Sequence, residues 1–91
     1  MNTILRKITN ECYNNKNSKF YNKVGNYEIK RNNDFIIHKY YGNTICIVNL
    51  NEKHFSLYYC GYENHRLTTA QINYLRNFYL EKNYNLRLVK S

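Results

Sequence analysis

Histidine, cysteine and carboxylate side chains are the groups that hold metals and move protons, and in this chain they are scattered. His38, His54 and His65 fall on separate segments with no HxxxH spacing, and Cys12, Cys46 and Cys60 contain no CxxC pair. The closest approach to a ligand set is Cys60, Glu63 and His65, three groups where a structural zinc site needs four and usually more sulfur. No metal and no cofactor is expected. An odd number of cysteines argues against a disulfide framework, and Cys46 and Cys60 read as small apolar packing residues. A metal-free nuclease would need a general base, and His65 beside Glu63 or His54 beside Lys53 are the pairs available. The spacing singles out neither pair, so the leading expectation is a protein without catalysis. Gly25, Gly42 and Gly61 are isolated and turn-like, so no glycine-rich loop is present to cradle a phosphate.

The chemistry that remains is charge and stacking. Fourteen Lys and Arg against six Asp and Glu give a formal charge of +8 over 91 residues, which favours an anionic partner, a phosphate backbone or an acidic protein surface. Eleven Tyr accompany this charge, with no Trp and no Pro. Together with abundant Asn and Lys they read in part as the translation of AT-rich codons. The candidate binding residues are Lys30, Lys39, Tyr41 and Tyr58 on one alternating strand face, Arg6, Lys7 and Lys16 in the N-terminal arm, and Arg66 and Arg76 at and on a C-terminal helix.

Elements that position these residues follow from periodicity. Ile4, Leu5 and Ile8 have helical spacing, and the polar run from Tyr13 to Lys19 then reads as a loop, so residues 1–23 are expected to form a short helix and a polar loop. From Tyr27 the period becomes two: Tyr27 and Ile29, then Ile36, His38 and Tyr40, then Ile45 and Ile47, then Phe55, Leu57 and Tyr59. Asn32 with Asn33 and Gly42 with Asn43 suit two-residue hairpin loops, and Leu50 to Lys53 make a longer connection. The register these loops predict sets Ile29 opposite Ile36, Tyr27 opposite His38 and Tyr40 opposite Ile45. Residues 27–60 thus form a four-stranded antiparallel meander with one apolar face.

Thr68 with Gln71 makes a capping box, and Ile72, Leu75 and Tyr79, flanked by Tyr74 and Phe78, form the apolar stripe of a helix over 68–83. Leu86 to Val89 offer a short closing strand. The expected fold is a single α+β domain over 1–91, a four-stranded antiparallel meander with the C-terminal amphipathic helix on one face and the short N-terminal helix near the other. Alternation gathers Phe35, Ile37, Cys46, Val48, His54, Ser56 and Cys60 with Lys30, Lys39, Tyr41 and Tyr58 on the second face. Covered by the N-terminal helix, this face is a second core layer; uncovered, its aromatics and lysines make a platform for single-stranded nucleic acid or a patch for a protein partner.

The stretch from Asn43 to Tyr62, followed by Leu67 to Asn73, resembles a group of small uncharacterised proteins carried by phages and other mobile elements. In that group a strand reading TxIxxI(D/N) is followed by a strand ending GGY and by a helix opened by TT and IN. Cys60 and Gly61 stand here where the group has two glycines. The resemblance implies the strand-to-helix unit and no common chemistry. It also implies a role typical of small phage proteins, binding and blocking host machinery, with an anti-CRISPR protein as the sharpest form. The partner would then be a host CRISPR effector or guide-RNA nucleoprotein, with direct contact to RNA or DNA as an option, and the alternative function is a small regulatory protein that binds single-stranded nucleic acid. No apolar run is long enough to cross a bilayer, and Ile4 and Leu5 are followed at once by Arg6 and Lys7, too short a run for a signal-peptide core. The expected setting is the cytoplasm of a host cell, without membrane association, as a monomer or homodimer.

Overall fold

A computed structural model describes residues 3–15, 17–62 and 64–91. The order is α1 (Thr3–Tyr13), β1 (Lys19–Val24), β2 (Tyr27–Asn32), β3 (Phe35–Tyr40), β4 (Asn43–Asn49), β5 (His54–Tyr58), α2 (Arg66–Glu81) and β6 (Asn85–Lys90). The six strands form one mixed sheet in the order β1-β2-β3-β4-β5-β6, antiparallel through β5 and parallel between β5 and β6. The fold is α+β, with two more strands than the four-stranded meander. One of these, β1, starts at Lys19, the end of the polar run, and takes up the rest of the segment read as helix and loop, ending at Val24. The other, β6, runs parallel to β5 because the helix between them carries the chain back to the same end of the sheet.

Turn chemistry moves the register of β2 against β3 by a whole pleat and leaves the faces of both strands intact, whereas β4 changes face. The first loop is Asn33-Asp34, with Asn33 at φ 56°, so Ile29 faces His38 and Tyr27 faces Tyr40. The second is Tyr41-Gly42, both at positive φ, which sets Tyr40 opposite Asn43 instead of Ile45. Just beyond it the pairing skips Ile45, since His38 faces Cys46 while Lys39 faces Thr44. This β-bulge puts two successive side chains inside, and Ile45 and Cys46 are both buried. The alternation of β4 is thereby inverted: Cys46 and Val48 belong to the core and Ile47 to the opposite face.

Both helices cover the same face of the sheet, in contrast to the expected two-sided arrangement. Leu5, Ile8 and Cys12 from α1 share one core with Tyr27, Ile29, Ile36, Val48 and Phe55 of the sheet and Ile72, Leu75 and Tyr79 of α2. Tyr13 closes the seam between the helices, with its ring 5.7 Å from Phe78 and 6.3 Å from Tyr79 in edge-on contacts. The N-cap of α2 is His65, not Thr68: the His65 Nδ1 accepts the Thr68 backbone N–H at 3.2 Å, and the helix starts at Arg66 and ends at Glu81. Gln71 does not complete a capping box, and its Oε1 is buried with no hydrogen bond to the described residues.

A polar chain crosses the middle of this core. The Tyr27 hydroxyl lies 2.6 Å from His38 Nδ1, His38 Nε2 lies 2.7 Å from the Tyr79 hydroxyl, and Tyr27 lies 3.4 Å from Thr9 Oγ1. Burial lowers the His38 pKa from 6.5 to about 3, so the ring is neutral. A neutral ring gives one donor and one acceptor, so one of the two tyrosine hydroxyls donates to His38 and the other accepts from it, and Thr9 continues the chain from Tyr27. The chain ties α1, the sheet and α2 through hydrogen bonds inside an apolar surround.

Candidate nucleic-acid interface

With both helices on one side, the other face of the sheet lies open. Strand pairing carries a row straight across it, Tyr21, Lys30, Ile37, Ile47, Ser56 and Leu88 from β1 to β6. Tyr21 is 58% exposed and Phe35 49%, and Leu88 is exposed at the far edge. Large apolar side chains at such exposure on β1, β3 and β6 share one sheet face with the row, and exposed apolar side chains gathered on one face are of the kind that marks a binding surface. Lys19 and Lys23 flank Tyr21 on β1, Lys39 lies two residues beyond Ile37 on β3, and Tyr58 and Lys90 pair at the β5-β6 end.

Charge on this face is predominantly positive. Its acidic member Glu28 stands between Lys23 and Lys39 in the pairing and accepts a hydrogen bond from the Tyr21 hydroxyl, which raises the Tyr21 pKa. Lys39 is thus partly neutralised, whereas Lys30 stands between Tyr21 and Ile37 with no carboxylate opposite it. At the β5 end, His54 Nε2 lies 2.9 Å from Glu52 and 3.3 Å from the Arg87 guanidinium. Lys53 takes no part in that cluster.

The nine candidate residues are divided among three places. Lys30, Lys39 and Tyr58 come together on the open face. Tyr41 and Arg66 stand at one end of the molecule, Tyr41 in the β3-β4 turn and Arg66 in the first turn of α2. Arg6, Lys7 and Arg76 are exposed on the helices, away from the open face, where the Arg6 guanidinium lies against the Tyr74 hydroxyl. Lys16 lies outside the described residues. Of the remaining residues read onto the second face, Cys46 and Val48 moved to the core through the bulge, and Cys60 is exposed in a turn at φ 55° instead of packed. The sequence reading missed Tyr21 and Ile47 as members of the face. Tyr21 carries the signal that would have found it, because Phe20 and Val24 alternate with Lys19, Tyr21 and Lys23.

Among the described residues, no group of three or more His, Cys, Asp and Glu is placed to hold a metal ion, and Glu63 of the Cys60, Glu63, His65 set lies outside them. Burial pushes the Cys12 thiol up to about 12 and raises Cys46 further, so neither is a thiolate at neutral pH. No described helix is long and apolar enough to cross a membrane. The comparisons are equally spare. No family model, no curated protein and no solved structure matches the chain. The open face can stack planar groups on Tyr21, Phe35 and Tyr58 and neutralise phosphates with lysines one strand apart, which is the chemistry of a single-stranded nucleic-acid platform.

Proposed function

We propose that this protein is a non-enzymatic binding module whose open sheet face engages single-stranded nucleic acid, and that the strand it meets belongs to a host defence nucleoprotein that it blocks. The observation that carries the binding reading is the uncovered row of Tyr21, Lys30, Ile37 and Ile47, apolar and basic on the side of the sheet that neither helix protects. A face of this composition is costly to leave in water without a partner. The inhibitor role, with an anti-CRISPR protein as its sharpest form, rests on the resemblance of the Asn43 to Asn73 segment to small phage proteins. The absence of catalysis is supported by the positions of the histidines. His38 is sealed in the core, His65 caps α2, and His54 is engaged by Glu52 and Arg87.

The same face favours a second reading, a small regulator that binds free single-stranded RNA or DNA. Pull-down of the tagged protein from a lysate containing the host's defence complexes, with and without nuclease, separates the two. Recovery of one nucleoprotein that survives nuclease treatment supports the inhibitor. Recovery of heterogeneous nucleic acid that disappears on treatment supports the regulator, and recovery of neither contradicts both.

A further inference from the structure

The turn end of the sheet carries a cleft distinct from the open face. It has a volume of about 300 Å³ and lies between the β3-β4 turn and the loop that leads into α2. Its walls are aromatic and aliphatic: Tyr40, Tyr41, Tyr62 and Leu67, the last three of them exposed. All three are large exposed apolar side chains, and they converge on one hollow from the β3-β4 turn, the loop before α2 and the first turn of α2. Tyr41 holds φ 51°, in the left-handed region that a β-substituted residue other than Asn or Asp rarely adopts. The turn therefore carries a tyrosine where asparagine would relieve the backbone.

Two polar groups on the lining have their hydrogen-bonding sense fixed by neighbours. The Asn43 amide nitrogen donates to the Tyr41 carbonyl at 3.4 Å, which leaves Oδ1 as the acceptor end of that side chain. The His65 Nδ1 accepts from the Thr68 backbone N–H, so in the neutral ring the proton sits on Nε2, a donor. Ring walls, one acceptor and one donor are what a nucleobase needs: a face to stack on and an edge to pair with. Arg66 lies in sequence between the lining residues His65 and Leu67, and Lys39 lies two residues before Tyr41 on the open face.

We infer that this cleft is a base-binding subsite, which takes one nucleobase of the strand lying on the open face and makes the protein's binding depend on base identity. The inference rests on the proposed nucleic-acid reading and deepens it. A strand crossing the lysines of β2 and β3 turns the corner at Lys39, and one base enters between Tyr41 and Tyr62. Arg66 is placed for the adjoining phosphate. The open face supplies contacts that every sequence shares, and the cleft supplies the contact that selects.

The test measures binding of fluorescently labelled single-stranded RNA and DNA homopolymers of each base by anisotropy, for the wild type, Tyr62→Ala, Asn43→Ala and Lys30→Ala. Tyr62 is exposed, so its truncation spares the core, and thermal unfolding of each variant checks the fold. The wild type is expected to prefer one base. Tyr62→Ala should weaken that preferred homopolymer roughly ten-fold, the loss of one stacked base, and leave the others little changed. Asn43→Ala should narrow the preference, whereas Lys30→Ala should weaken all homopolymers alike. Equal affinity for every base, or a uniform effect of Tyr62→Ala, overturns the subsite while Lys30→Ala still reports on the open face. If no homopolymer binds, the subsite and the reading beneath it both fall.

Discussion

Lowering the pH should unfold this protein through one residue, His38. The ring is fully buried among Tyr27, Tyr79 and Cys46, groups that carry no charge in acid and cannot offset an imidazolium. Its folded pKa is about 3 against an ordinary value of 6.5, so the folded state holds fewer protons than the unfolded chain between those values. The contribution of the neutral ring is complete above 6.5 and is lost as the pH falls from 6.5 towards 3. Linkage gives a loss of about 2 kcal/mol by pH 5 and about 3 kcal/mol by pH 4, a large part of the ordinary stability of a small domain. Urea unfolding followed by circular dichroism at a series of pH values measures it. His38→Gln keeps a neutral polar side chain at the centre of the chain but cannot titrate, so it serves as the reference. Carboxylates titrate in both proteins and cancel in the difference. The stability advantage of the wild type over His38→Gln should shrink by about 1.4 kcal/mol per pH unit between 6 and 4. Parallel pH profiles would refute the buried neutral histidine.

Further outcomes follow from the same geometry. Tyr79→Phe leaves the buried His38 Nε2 without its hydrogen-bond partner and should cost about 1–3 kcal/mol in urea unfolding, far more than loss of one exposed hydroxyl. Tyr41→Asn should stabilise the fold by up to about 1 kcal/mol, because Asn tolerates the left-handed φ of the turn, and should at the same time weaken strand binding. Lys30→Ala should lower the salt dependence of single-strand binding by about 0.7 in the log–log slope, the share of one phosphate contact, and Lys39→Ala by less because Glu28 already neutralises part of its charge. A larger effect at Lys39 than at Lys30 would contradict the placement of Glu28.

Much of the fold was legible where a single period governs a segment. Ile72, Leu75 and Tyr79 at helical spacing locate α2, and the alternation of Ile36 with His38 and of Phe55 with Leu57 locates the core face of β3 and β5. Legibility fails where both parities are apolar. From Ile45 to Val48 every side chain can be buried, so nothing in that run marks the bulge that sends Cys46 inward and Ile47 outward. β1 was obscured because an edge strand with one open face can be largely polar, and Lys19, Asn22 and Lys23 mask Phe20 and Val24. The side on which α1 docks depends on contacts such as Tyr13 with Phe78 and Thr9 with Tyr27, made across long sequence separations. That docking decides whether a platform exists, so the open face was legible as a set of residues but not as a surface.

The most direct measurement of the central claim is a ¹H–¹⁵N NMR titration of the protein with a short single-stranded oligonucleotide. The account predicts shifts concentrated on β1 to β4, at Tyr21, Lys30, Ile37 and Ile47, with Lys7 and Arg76 on the helices unmoved. Shifts confined to α1 and α2, or no shifts at any oligonucleotide concentration, would contradict it.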